Sequence, residues 1–172
     1  VSLLRGSLFE PVAGQKFDLI ASNPPFVITP RRATEREKDR FTYRDGGMSG
    51  DRLVSTVIAQ AGDFLNPGGS MQMLSNWEIH RLDDESNEPW DLRLKSWFPE
   101  DLDVWVIERE QTTPSVYAET WLRDASQTED SSSYAAAYNA YLDDFESRGV
   151  GAIGFGLVYF RKSATGTAAL RR

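Results

Sequence analysis

Apolar residues fall along this chain in blocks whose spacing switches between two periods. Phe17-Asp18-Leu19-Ile20-Ala21-Ser22 is a short apolar run stopped by Asn23-Pro24-Pro25, which predicts a buried strand. Leu53, Val54, Val57, Ile58, Ala61 and Leu65 recur at helical spacing. They predict a helix from Asp51 to Leu65, with Asp51 as its cap and Asn66-Pro67-Gly68-Gly69 as its stop. Further strands are expected over Ser70–Trp77, Asp103–Glu108 and Ala152–Arg161, and a helix over Trp90–Phe98. Val1–Phe9 is mostly apolar and suggests a strand running into a loop, and Gly14-Gln15-Lys16 a turn. Residues 27–50 form a long, polar, Arg-rich loop with room for one helical turn.

Residues 111–149 interrupt the strand pattern as an insertion, with helices expected over Ser115–Arg123 and Tyr134–Arg148. The polar stretch Ser126–Ser133 between them is expected to be mobile, and residues 163–172 to form a disordered tail. Residues 1–162 then make one α/β domain carrying the 111–149 insertion. Its sheet is mostly parallel and covered by helices. In such sheets ligands lie beyond the carboxyl ends of the strands. Asn23 stands at one such end, Asn76-Trp77-Glu78 at a second, and the insertion leaves from a third at Glu108. Three unusual features are expected on one rim.

Composition narrows the chemistry. The chain has no cysteine and one histidine, His80, expected to be an ordinary surface residue. Disulfides, thiolate zinc sites, cysteine nucleophiles and multi-histidine metal sites are excluded, and no metal is expected. Absence of cysteine suits a reducing cytoplasm. No apolar run approaches the roughly 20 residues of a membrane helix. The formal net charge is -7, so any contact with nucleic acid phosphates must be local. The chain opens on Val1-Ser2-Leu3-Leu4-Arg5, without an initiator Met or a signal-peptide layout, as if cut from a longer polypeptide.

Asn23-Pro24-Pro25-Phe26 carries the clearest chemical suggestion. Asn23 and Pro24 each precede a proline, which drives both toward extended backbone. The prolines fix their own φ and donate no N–H. A stiff turn results, presenting two acceptors, the Asn23 side-chain oxygen and the Pro24 carbonyl, beside the flat face of Phe26. An amide or aromatic amine nitrogen is a poor nucleophile because its lone pair is delocalised. Two acceptors orient its two N–H bonds and favour the developing sp3 nitrogen, stabilising the transition state more than the ground state. An aromatic ring stacks on the planar substrate. A sulfonium methyl in line with the lone pair completes the arrangement, and no His or Cys base is needed.

The run from Phe17 to Phe26 resembles the Asn-Pro-Pro-Tyr/Phe signature of class I S-adenosylmethionine-dependent amino-group methyltransferases. That group includes adenine methylases of DNA and RNA and the glutamine methyltransferases of release factors (the HemK/PrmC type). Tyr43-Arg44-Asp45-Gly46-Gly47, Gly50-Asp51 and Leu65-Asn66-Pro67-Gly68-Gly69 resemble the stretch that follows the signature in these proteins. The likeness covers residues 1–78 well and the rest by strand order. It implies the C-terminal half of a Rossmann-like sheet whose last strand is antiparallel. It also implies S-adenosylmethionine as cofactor, and a target amino group held by Asn23 and Pro24 with Pro25 and Phe26 completing the site. Gly6-Ser7-Leu8-Phe9 resembles the family's segment beside the cofactor adenine, which makes Ser7, Leu8 and Asn23 the implied cofactor contacts, although Ser7 stands where the family has Asp. The family's glycine-rich loop and ribose-binding acid would lie upstream. This chain should therefore show an exposed sheet edge and half a cofactor site, inactive until joined to the N-terminal half of the same polypeptide.

Substrate contacts are expected from Arg31, Arg32, Arg44 and Asp45 on the loop and from Asn76 and Trp77 at the second strand end. Against them stand a solvated mixed-charge loop, a turn at Asp45, and a buried strand end. Trp90, Trp97, Trp105 and Trp121 are expected to serve packing, and the insertion to carry solvated helices or a lid over the rim. The leading reading is methylation of the adenine amine in RNA or DNA, with Phe26 in place of Tyr and the basic loop in its favour. A protein glutamine is the second substrate considered. The third reading is a non-catalytic half-domain that pairs, or forms a homo-oligomer, through its open edge.

Overall fold

The computed structural model describes residues 1–31, 46–124 and 131–166. Four strands form one sheet: β1 (Phe17–Ser22), β2 (Leu65–His80), β3 (Leu102–Thr112) and β4 (Val150–Lys162). Their order is β1-β2-β4-β3. β1 and β2 pair in parallel, and β4 runs antiparallel to both β2 and β3, so three strands point one way and the last is reversed. This is the mixed α/β architecture expected. Helices α1 (Arg52–Ala61) and α2 (Leu92–Trp97) cover one face, and α3 (Pro114–Asp124) and α4 (Ser131–Ser147) come from the insertion.

The alternation of side chains along β2 divides the molecule into two layers. Met71, Met73, Trp77 and Ile79 face α1 and α2, where they pack with Val54, Val57, Ile58, Leu94, Phe98 and Phe160 in the main core. Asn76 and Glu78 point the other way, beneath the insertion. Tyr117, Ala118 and Leu122 of α3 and Tyr141 and Phe145 of α4 form a second core there, with Val27, Ile28 and Ile153.

Several local expectations change. Val1–Phe9 forms no strand: it is an exposed lead that ends in a 3-10 turn over Glu10–Val12. Without a neighbouring strand on that side, its apolar residues have nothing to pair with. The helix predicted to Leu65 ends at Ala61, followed by one 3-10 turn and β2. Asn66–Gly69 does not precede the strand but lies inside it, because β2 pairs with β1 from Leu65, with a register shift between Phe17 and Leu19. Gly68 takes a left-handed φ of 82°, which glycine allows at no steric cost. β3 runs on to Thr112, so Glu108 lies inside the strand rather than at its end. The Ser126–Ser133 linker falls mostly, and the 163–172 tail largely, outside the described residues.

The face beneath the insertion is covered only at its upper end. Lower down, Gln72, Tyr159 and Trp105 lie in one cross-strand row, and Leu74, Leu157 and Ile107 in the next. Leu19 is 60% exposed, Trp105 52% and Ile107 40%. Trp105 was expected to serve packing, yet nothing in the described chain covers it. With the free outer side of β1, this makes a contiguous apolar sheet face and an open edge.

Urea unfolding of this chain should separate the two faces. Phe160→Ala, in the main core, should cost about 3–5 kcal/mol. Trp105→Gln should cost under about 0.5 kcal/mol here, as at other exposed positions. In a longer protein that covers this face, the same Trp105→Gln should cost more than about 1.5 kcal/mol.

Candidate active site

Asn23 leaves β1 at its carboxyl end and is exposed, while Pro24, Pro25 and Phe26 are half-buried. The turn is held at both ends. β1 secures it on one side, and on the other Val27 and Ile28 are buried in the second core. The Ile28 N–H donates to the Tyr117 hydroxyl of α3 at 2.9 Å. An insertion helix thus clamps the motif turn, which the residue pattern did not suggest.

Two cavities open along the same face of the sheet. The first is an open groove of 420 Å³ beside Asn23, bounded by Ala21, Ser22, Met73, Leu74 and Leu157. The second measures 370 Å³ and lies between the sheet and α3. Phe26, Asn76, Ile153 and Phe155 form its floor, and Tyr117 and Trp121 its roof. Leu74 bounds the first and Asn76 the second, two residues and about 7 Å apart along one strand. Phe26 tilts against Phe155 with ring centroids 5.8 Å apart. Of the strand ends expected to share a rim, that of β1 reaches the second cavity through Phe26 and that of β2 through Asn76, beneath α3, while Glu108, inside β3, does not line it.

Asn76 is 1% exposed. Its side-chain amide donates to the Tyr117 hydroxyl at 2.7 Å, and its Oδ1 is buried with no hydrogen-bond partner among the described residues. Burial pushes the Tyr117 phenol well above its usual range, against the Ile28 and Asn76 donors, which pull it the other way. The hydroxyl therefore stays protonated and holds both the motif turn and Asn76.

Beside the rim is a buried ion network. The Asp51 carboxylate does not cap α1 as the sequence suggested. It accepts from the Arg93 guanidinium at 2.5 and 3.0 Å and from the Glu78 N–H at 2.9 Å. Glu78, also buried, accepts from Arg148 at 2.7 and 3.1 Å, and Arg148 reaches Asp144 of α4 at 2.8 Å. Burial opposes the charge of both arginines, and the carboxylates outweigh it, holding each guanidinium above its ordinary range. Gly50, at φ 57°, lies against Glu78: a Cβ there would stand 2.9 Å from a carboxylate oxygen. Arg93, Arg148 and Glu78 carried no role in the sequence reading, since long-range ion pairs leave no periodic trace. His80 is partly buried, 3.6 Å from Glu78.

Other predicted site residues are placed differently. Trp77 does not reach a cavity. It is fully buried in the main core against Trp90, lying flat over Gly154, where a Cβ would approach its indole to 2.3 Å. Strand alternation sends it to the face opposite Asn76. Ser7 and Leu8 are exposed in a turn whose next residue, Phe9, stacks on Phe64 at the start of β2. Among the described residues, no hydrogen bond or shared cavity links them to Asn23. Arg31 donates to the Met48 carbonyl and to Thr29. Arg32, Arg44 and Asp45 lie outside the described residues. No group of three or more acidic or histidine side chains among the described residues is placed to hold a metal, and no helix there is long and apolar enough to cross a membrane.

No family model matches the chain. The release factor glutamine methyltransferase of Geobacter sulfurreducens is 41% identical over 73 residues, 40% of this chain and 26% of that protein. The corresponding enzyme of Gloeobacter violaceus is 36% identical over 77 residues, 42% of this chain and 27% of that protein. Over that stretch the chain is similar in sequence to release factor glutamine methyltransferases. The ribosomal protein uL3 glutamine methyltransferase of Bradyrhizobium diazoefficiens is 33% identical over 75 residues, 41% of this chain and 23% of that protein. The chain spans about a quarter of the length of these relatives. Among solved structures, coclaurine N-methyltransferase aligns over 87% of this chain and 49% of its own, with 13% identity and a TM-score of 0.32, too loose a likeness to bear on the site.

Removing one member of the buried network should unfold more than it loosens. Arg148→Met should cost about 3–5 kcal/mol by urea titration, because it strands the Glu78 carboxylate. The raised Tyr117 phenol acts in alkali. Its contribution is complete below the ordinary tyrosine value of about 10 and is lost as pH rises beyond it, since the unfolded chain ionises first. Stability should fall above about pH 10, less steeply in Tyr117→Phe than in the parent.

Proposed function

We propose that this chain is the target-recognition half of an S-adenosylmethionine-dependent methyltransferase acting on the side-chain amide nitrogen of a protein glutamine. The observation that carries the reading is Asn23-Pro24-Pro25-Phe26 at the carboxyl end of β1, with Asn23 exposed beside an open groove and Phe26 in the floor of the neighbouring cavity. The curated relatives named above, all glutamine methyltransferases of proteins, support the substrate class.

Asn23 Oδ1 and the Pro24 carbonyl accept the two amide N–H bonds and turn the nitrogen lone pair toward the groove. Phe26 stacks on the amide plane and keeps water from it. Pro25 fixes the turn. The methyl donor supplies the electrophilic carbon when bound. The groove residues fit one side of it, with Asn23 at their edge and Ser7 and Leu8 proposed as further contacts. The rest of its shell is assigned to an N-terminal half that would also cover the bare apolar face and pair with β1. Arg31, Arg32, Arg44 and Asp45 are proposed to meet the substrate from the loop. An adenine amine offers the same two N–H bonds, and the basic segment from Arg31 to Arg44 favours it. The net charge of -7 opposes it.

Full-length protein, labelled S-adenosylmethionine and cell extract test the assignment. Label is expected in protein, released on hydrolysis as methylamine from an N-methylated glutamine. Label confined to RNA or DNA would overturn it. Asn23→Ala should lower kcat about 100- to 1000-fold, as for loss of one oriented transition-state contact.

A further inference from the structure

Asn23 lines the open groove and not the roofed cavity. An amide nitrogen has two N–H bonds, and Asn23 and Pro24 take them. Among the described residues, Asn76 Oδ1 still lacks a donor, although Asn76 is almost wholly buried and lines the cavity. A buried acceptor without a partner costs on the order of 1–3 kcal/mol unless a donor arrives with a ligand. The insertion maintains this arrangement, because Tyr117 fixes the Asn76 amide.

The other walls indicate what the donor is. Phe26, Phe155 and Trp121 offer aromatic surface, and Glu110 adds a carboxylate. Among the described residues, no lysine or arginine lines the space. Aromatic faces, a carboxylate and an unpaired amide oxygen suit a flat cation with several N–H groups. The chain already lays one such group on this wall: the exposed Arg109 guanidinium sits over the Phe155 ring, 5.5 Å from its centroid.

We propose that this cavity is a specificity pocket for a guanidinium, the side chain of an arginine lying near the methylated residue in the substrate protein. Asn76 Oδ1 and Glu110 accept its N–H groups, and Phe155 and Trp121 flank its plane. The source of the guanidinium rests on the protein-substrate reading. The recognition itself rests on the cavity.

Two measurements on full-length protein test it. In the first, N-acetyl-arginine amide and its uncharged isostere N-acetyl-citrulline amide are titrated by NMR. The arginine compound should bind at least tenfold more tightly, and Glu110→Gln should bring the ratio close to one, a change that a merely structural role for Glu110 would not produce. Equal affinities, or no binding of either, would overturn the pocket. In the second, glutamine peptides carry arginine or citrulline at each flanking position in turn. One position should favour arginine at least tenfold in kcat/KM, and a flat profile would likewise overturn the proposal. Arginine-selective binding by a protein that methylates only nucleic acid would instead remove the glutamine substrate and leave the pocket standing.

Discussion

Two carboxylates buried beside the rim, Asp51 and Glu78, set the terms for everything around them. Taking a carboxylate out of water costs several kcal/mol, and only closely placed cations with good hydrogen bonds offset it. Here the cations come from far along the chain. Arg93 stands just inside α2 and Arg148 just after α4, where the helix dipole also favours a positive charge. The same four side chains therefore tie the entry to α1, the end of β2, α2 and the insertion into one unit. Any shift of β2 relative to α4 would break a desolvated pair, so the rim that carries Asn76 is held in place. Gly50 is part of the same constraint, since a side chain there would displace the Glu78 carboxylate.

What the sequence discloses about this chain follows from how local each determinant is. Period-two and period-3.6 patterns placed all four strands and the four named helices, and the turn chemistry of Asn23-Pro24-Pro25 placed the motif at a strand end. Each of those signals lies within a few neighbouring residues. Val1–Phe9 was misjudged because apolar residues form a strand only where a neighbour exists to pair with them. Asp51 was read as a helix cap because a cap is a local device, whereas its partners are 27 and 42 residues away. Trp77 was assigned to a pocket with Asn76, although strand alternation sends adjacent residues to opposite faces. Tyr117 was legible only as a helix-face aromatic. Nothing in its surroundings marks it as the residue that grips Ile28 and Asn76.

The sheet also separates two tasks between its faces. α1 and α2 cover one face, and their core makes the fold stable. The other face is divided. Its upper part is roofed by α3 and α4 and holds the second cavity, while its lower part is bare among the described residues and leads to the open groove at Asn23. The relatives resemble this chain over about two fifths of its length. The motif turn lies where these two parts meet, with one end fixed by β1 and the other by α3. The hydrogen bond between Ile28 and Tyr117 therefore ties the insertion to the motif turn.

The strand order has a consequence for how the chain comes into being. β4 is made last, yet it lies between β2 and β3 and supplies the hydrogen bonds of both. As the polypeptide leaves the ribosome, β2 and β3 have no permanent neighbour on their facing sides until the final strand emerges, and β3 has none at all. Pairings this distant in sequence are slow to form, and exposed apolar strands invite association in the meantime. The insertion lengthens that wait by the time needed to translate two helices. The insertion helices, whose Tyr117 and Phe145 rings meet edge to face, rest on Val150 and Ile153 of β4, so they too find their seat only once that strand is in place.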